Sequence, residues 1–250
     1  MTNDDDEGEN VKGLSGLVVA VTGAAGGIGS ATCERLAMEG AMVYALDLRP
    51  RPGPHGEHLE VDVTDPASVE RAVAHIVSAS GRLDGMVVGA GIVEDDVPSE
   101  EMSLEQFDKI LGVNLRGAFL TCTAAGRVML EQGTGRIVAI SSMSGNHTVN
   151  TPQKQCAYNA SKAGVSALVR SLAVEWAGRG VQVNSVAPGY VDTELLAAKR
   201  PQFPHWLSRT PQGRFGDREE VAAAIAFLLS DEAGYFCGSE IVLDGGYTLV

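Results

Sequence analysis

Leu17-Val18-Val19-Ala20-Val21-Thr22-Gly23-Ala24-Ala25-Gly26-Gly27-Ile28-Gly29 is the stretch that decides the fold. Its first five residues form a continuous apolar run, as expected of a strand covered on both faces in a parallel sheet. A glycine-rich turn follows, and then a helical pattern from about Ile28 to Glu39, ended by Gly40. Pyrophosphate binding needs a turn without side chains, so that backbone N–H groups and a helix N-terminus can approach the charge. Gly23, Gly27 and Gly29, with Ile28 between the last two, supply such a turn at a spacing of four and two. The commoner dinucleotide fingerprint has two and three. Tight helix–sheet packing also selects glycine, but the position between a first strand and a first helix favours binding.

The same alternation continues outward. Strands are predicted at 41–46, 59–63, 86–88, 136–140, 181–186 and 241–243. Helices are predicted at 66–79, 103–132, 156–177, 194–208 and 218–230. Asp65 as N-cap and Pro66 at the first helical position mark one start clearly. No linker or repeat interrupts the series. The expectation is a single α/β domain over 14–250, a Rossmann fold with a doubly wound parallel sheet of about seven strands flanked by helices. Residues 1–13 read as a short, disordered acidic tail.

Composition narrows the partners. The net charge is −13, and five acids lie within the first ten residues. An acidic surface repels phosphate backbones, so no nucleic acid is expected. No uncharged apolar run is long enough to span a bilayer, and the N-terminus has neither the basic start nor the apolar stretch of a signal peptide. No membrane partner and a cytoplasmic location are therefore expected. Cys33, Cys122, Cys156 and Cys237 are widely spaced, which suits reduced thiols and gives no metal-ligand cluster.

The second strand ends at Asp47, where an acid can accept hydrogen bonds from both hydroxyls of an adenosine ribose and would repel a 2′-phosphate. This favours NAD over NADP, with Arg49 two residues on as the opposing signal. Asp62 at the end of the third strand is a candidate for the adenine amino group, with Val63 covering the ring. Tyr158 and Lys162, four apart, share one helix face. A nearby ammonium lowers a phenol pKa from near 10, and the pair then suits proton transfer to or from an alcohol. Alone, such a pair is common on helix surfaces.

Together with the glycine turn, Ser141-Ser142 after the fifth strand and Asn114 in Val113-Asn114-Leu115-Arg116-Gly117, it makes residues 14–250 resemble the classical short-chain dehydrogenases/reductases. The resemblance implies a catalytic tetrad. Ser142 orients the substrate oxygen, Tyr158 is the acid/base, Lys162 holds the nicotinamide ribose and lowers the tyrosine pKa, and Asn114 fixes a relay water. It also implies that Pro188-Gly189-Tyr190-Val191-Asp192-Thr193 holds the carboxamide, through Pro188, Gly189, Val191 and Thr193. Val88-Gly89-Ala90-Gly91 departs from the family's Asn-Asn-Ala-Gly. Ala90 and Gly91 keep the space for the ribose, but the bracing asparagine is missing and a local stability cost is expected.

A second departure is the spacing of sixteen residues from Ser142 to Tyr158, longer than is usual in the family. The polar stretch 145–155 and the ending Leu243-Asp244-Gly245-Gly246-Tyr247-Thr248 resemble the polyol and sugar-alcohol branch. Ser144, Asn150, Gln155 and Tyr190 become candidates for substrate hydroxyls, with loop stabilisation the competing role. His147 reads as an exposed loop histidine without catalytic or metal function. Residues 194–213, with Phe203 and Trp206, read as a lid whose aromatics serve packing at least as readily as substrate contact. The resemblance implies a homotetramer, with a dimer as the next option. A 3-oxoacyl-thioester or other ketone reductase is the alternative within enzymes, and a non-catalytic NAD-binding sensor the alternative outside them.

Overall fold

A computed structural model describes residues 11–49, 53, 55–94, 96–197 and 199–250. Of the tail expected over residues 1–13, residues 1–10 lie outside the described residues, as do residues 50–52, 54, 95 and 198. Seven strands run β1 Val18–Thr22, β2 Met42–Asp47, β3 Glu57–Glu60, β4 Gly85–Val88, β5 Gly135–Ile140, β6 Val181–Pro188 and β7 Glu240–Leu243. They form one sheet in the order β3-β2-β1-β4-β5-β6-β7, and every pairing is parallel. The helices are α1 Gly27–Met38, α2 Pro66–Ser80, α3 Leu104–Leu111, α4 Gly117–Gln132, α5 Cys156–Trp176, α6 Glu194–Ala197, α7 Phe203–Ser208 and α8 Arg218–Leu229. No helix among the described residues is long and apolar enough to cross a membrane.

Alternation along β1 divides the core in two. Val18 and Ala20 pack with Leu46, Met86, Val169 and Trp176 on one face of the sheet. Val19 and Val21 pack with Leu36, Val138, Ile225 and Leu229 on the other. Both faces of a central strand being covered explains why the run from 17 to 21 has no polar member. The strand order reverses between β1 and β4, and that switch point opens a crevice at the carboxyl ends of both strands.

Local chemistry sets the helix limits. Asp65 accepts the Ala67 amide at 3.0 Å, and Gly81 ends α2 with φ of 75°. Three predicted elements differ from the structure. β3 stops at Glu60, so Asp62 and Val63 lie beyond the strand; Asp62 instead turns the chain by accepting the Thr64 amide at 2.8 Å and the Thr64 hydroxyl at 2.7 Å. The helical stretch 103–132 is broken by a π turn, Gly112–Arg116, between α3 and α4. The stretch 194–208 is two short helices joined through a 3₁₀ turn, because Pro201 and Pro204 sit at successive helix starts. At the N-terminal edge, Val11 donates its amide to Glu39 at 2.8 Å.

Candidate active site

The crevice begins at the glycine turn. Gly23 has φ of 73°, and a Cβ there would lie 2.8 Å from the Gly89 carbonyl and the Ala90 amide. A Cβ on Gly29 would fall 2.2 Å from the Gly23 carbonyl, so α1 can start against the turn only without side chains. Gly27 faces the lid side, where an added Cβ would lie 2.9 Å from Thr193 Cγ2. Asp47 closes the other side of the turn, accepting the amides of Ala25 and Arg49 at 3.0 Å each. Val63 packs on Gly117, the first residue of α4. Side-chain-free backbone, a helix N-terminus and an acid at the end of β2 suit a dinucleotide.

The candidate catalytic groups come from three elements, the end of β5, the start of α5 and the π turn Gly112–Arg116. β5 delivers Ser142 just past its end, and α5 carries Tyr158 in its first turn and Lys162 one turn later. The Lys162 ammonium donates to the Ile140 carbonyl at 2.7 Å and lies 5.8 Å from the centroid of the Tyr158 ring. Burial lowers the Lys162 pKa from 10.5 to about 8. Burial raises the Tyr158 pKa, a hydrogen bond with Ser142 works against that, and the charge of Glu94 adds to it.

Asn114 sits inside the π turn, 1% exposed. Its Oδ1 accepts the Ile92 amide at 2.8 Å, and its Nδ2 donates to the Ile92 carbonyl at 2.8 Å and to Ser161 Oγ at 3.0 Å. The widened turn thus aims this side chain at the loop after β4 and at α5, both of which face the cavity.

A cavity of about 190 Å³ unites Ile28, Gly91, Ser142, Ser144, Asn150, Gln155, Tyr158, Lys162, Pro188, Gly189, Tyr190, Val191 and Thr193. Asp47, Asp62, Val63, Ala90, Asn114 and the three glycines of the turn lie outside its lining. Ser144 Oγ donates to Asn150 Oδ1 at 2.7 Å, and Asn150 Nδ2 donates to Gln155 Oε1 at 3.0 Å, all three being buried. The polar stretch 145–155 is therefore internally bonded and faces the cavity at once. Tyr190 donates to Gln153 Oε1 at 3.2 Å and stacks on Trp206 with centroids 4.2 Å apart. Phe203 and Trp206 do not line the cavity; they pack with Phe215, and Trp206 donates to the Thr151 carbonyl at 3.3 Å. From the lid, Leu196 and Lys199 reach the lining.

Three residues here escaped the sequence. Gln153 lies within the polar stretch that was singled out, but amides there are common loop residues. Glu94 and Glu240 follow no motif. Glu240, opening β7, accepts from Ser141 Oγ at 2.7 Å, Ser166 Oγ at 2.5 Å and Ser185 Oγ at 3.3 Å. It also bonds His147 Nε2 at 2.8 Å. His147 is exposed, as expected, yet tethered.

Residues 23–248 match a family model described as enoyl-(acyl carrier protein) reductase. The chain is 41% identical to D-threitol dehydrogenase of Mycolicibacterium smegmatis, over 94% of each chain. It is 40% identical to galactitol 2-dehydrogenase (L-tagatose-forming) of Cereibacter sphaeroides, covering 94% of this chain and 96% of the relative. Among solved structures, aldohexose dehydrogenase of Thermoplasma acidophilum superposes with a TM-score of 0.90 at 32% identity, covering 96% and 97% of the two chains.

Proposed function

The chain belongs to the short-chain dehydrogenase/reductase family, and on that premise we propose that it is an NAD-linked dehydrogenase of a polyol or sugar alcohol, working as a cytoplasmic homotetramer. The observation that carries the reading is the single cavity in which Ser142, Tyr158 and Lys162 meet the hydroxyl and amide side chains of Ser144, Asn150, Gln153 and Gln155. Polar side chains buried around a site discriminate strongly in favour of substrates that satisfy them, because an analogue lacking the hydroxyls leaves them unpaired.

When bound, the nicotinamide supplies the hydride acceptor. The turn Gly23–Gly29 would hold the pyrophosphate on backbone amides, Asp47 would take the ribose hydroxyls, and Asp62 with Val63 would take the adenine. Ser142 orients the reacting hydroxyl toward Tyr158. Tyr158 removes its proton in oxidation and returns it in reduction. Lys162 holds the second ribose and, as a buried cation, favours the phenolate. Asn114 would fix a water in the proton relay. Pro188, Gly189, Val191 and Thr193 hold the carboxamide, while Tyr190 braces Gln153 from the lid side.

The test is reduction of NAD and of NADP, followed by absorbance, with sugar alcohols, small diols and aliphatic secondary alcohols. Turnover with NAD and a polyol is expected. Turnover with NADP alone would overturn the role given to Asp47. Silence across the panel despite NAD binding would overturn the substrate class.

A further inference from the structure

Glu94 lies in the loop after β4, two residues past Ile92, and is 3% exposed. Both of its carboxylate oxygens face the backbone amide of Tyr158, at 3.0 and 3.2 Å. Tyr158 is the third residue of α5, so this amide is one of the donors that a helix cannot satisfy within itself. Gln155 at the N-cap provides no side-chain bond to the helix; its Oε1 is occupied by Asn150. Glu94 therefore caps the first turn of α5 from a different element. Capping alone would be met equally well by a serine or threonine at the N-cap. A carboxylate differs in bringing a negative charge to the residue whose phenol must gain and lose a proton.

We propose that Glu94 is a positioning residue that fixes the first turn of α5 and, through its charge, holds Tyr158 toward its protonated form. The proposal rests on Tyr158 being the acid/base. Among the described residues, the charged and polar groups facing Tyr158 come from four places. Lys162 comes from its own helix, Ser142 from the end of β5, Glu94 from the β4 loop, and Lys199 from the lid lines the same cavity. Lys162 and a hydrogen bond from Ser142 favour the phenolate, whereas burial and Glu94 oppose it. Glu94 thus sets the balance on the side of ketone reduction, which needs the phenol protonated, and moves alcohol oxidation to higher pH.

Glu94→Gln keeps the shape and one acceptor oxygen for the Tyr158 amide and removes the charge. In kcat/KM against pH, the acid limb of alcohol oxidation is expected to move down by about half a pH unit. The rate on that limb then rises about threefold. The alkaline limb of ketone reduction should move the same way. Glu94→Asp retains charge and is expected to keep the parent limbs, so a shift in it as large as that of the glutamine variant overturns the proposal. Limbs unmoved in Glu94→Gln, with only kcat lowered, would reduce Glu94 to a cap and overturn it too. Tyr158→Phe separates the two failures. If the phenylalanine variant is inactive while the glutamine profile stays put, only the role of Glu94 falls. If the phenylalanine variant turns over within a few-fold of the parent, the acid/base assignment falls with it.

Discussion

Asp47 accepts the Ala25 amide at 3.0 Å, so the acid at the end of β2 is bonded directly into the glycine turn between β1 and α1. Its other oxygen accepts the Arg49 amide, also at 3.0 Å. The residue proposed to choose the cofactor therefore also fixes the backbone of the pyrophosphate site. Asp47→Ala removes the acceptors for two ribose hydroxyls and the repulsion of a 2′-phosphate together, while Arg49 remains. Its kcat/KM with NAD should fall on the order of tenfold or more, since hydrogen bonds to a charged group contribute about 1.5–3 kcal/mol. The ratio of NADP to NAD efficiency should rise. An unchanged ratio would assign Asp47 to the turn alone.

Glu240 gives a pH prediction. Burial opposes its charge, but bonds from Ser141, Ser166, His147 and Asn146 outweigh burial and leave its pKa below the ordinary 4.5. A carboxylate with a depressed folded pKa adds stability that is fully present above the unfolded value and is lost as pH falls through the folded one. Glu240→Gln should lower stability at pH 7 by about 1–3 kcal/mol. The gap to the parent should then close below about pH 4.5, the unfolded carboxylate range. Urea unfolding at pH 7 and at about pH 2.5, below the carboxylate range, checks both halves, and a gap that persists in acid would show that shape rather than charge matters there.

The elements that sequence reading located well are those governed by local signals. The apolar run from 17 to 21, the Asp65-Pro66 start and Gly40 just past the end of α1 each carry their reason within a few residues. The proposed tetrad was singled out because four separate motifs coincide, and three of its members, Ser142, Tyr158 and Lys162, line one cavity. What stayed hidden depends on distant pairing. Glu94 and Tyr158 are 64 residues apart, and Glu240 and His147 are 93 apart. Nothing near either acid distinguishes it from a solvated one. The π turn around Asn114 was hidden for another reason: Gly112, Val113 and Asn114 are weak helix formers inside a longer helical pattern, and no local signal tells a π turn from a continuing helix, whereas the bonds of Asn114 to Ile92 and Ser161 are distant pairings.

Thr22 addresses the bracing asparagine missing from Val88-Gly89-Ala90-Gly91. Its hydroxyl donates to the Val87 carbonyl at 3.2 Å and accepts from the amides of Gly89 at 3.1 Å and Ala90 at 3.4 Å. A Cβ at Gly89 would lie 2.8 Å from the Thr22 carbonyl and 3.0 Å from Ile140 Cδ1, so this packing admits no larger residue without movement. The link between β1 and β4 thus comes from β1. Thr22→Val keeps the shape and leaves buried backbone groups unpaired, which costs about 1–3 kcal/mol each way such a bond is lost. Thermal unfolding should show a reduced Tm together with weaker NAD binding. A valine variant as stable as the parent would show that the Gly89-Ala90 backbone is held by other means.

Lys162 carries the opposite pH signature from Glu240. Burial lowers its folded pKa to about 8, against 10.5 for the free side chain. Between those values the unfolded chain holds a proton that the folded protein has released. Since the unfolded state binds more protons there, stability rises with pH across that window. At pH 7 both states are protonated and the folded one bears the cost of a buried ammonium, on the order of 3 kcal/mol for a difference of that size. Lys162→Met keeps the apolar stem, removes the charge and gives up the bond to the Ile140 carbonyl. Measured by urea unfolding without dinucleotide, the stability difference between parent and methionine variant should shift in favour of the parent from pH 8 to 10.5. The variant should have lost turnover, because no cation then offsets the burial of the Tyr158 phenolate. A difference flat across that window would mean that Lys162 keeps its proton in the folded state, with the Ile140 carbonyl as its compensating acceptor.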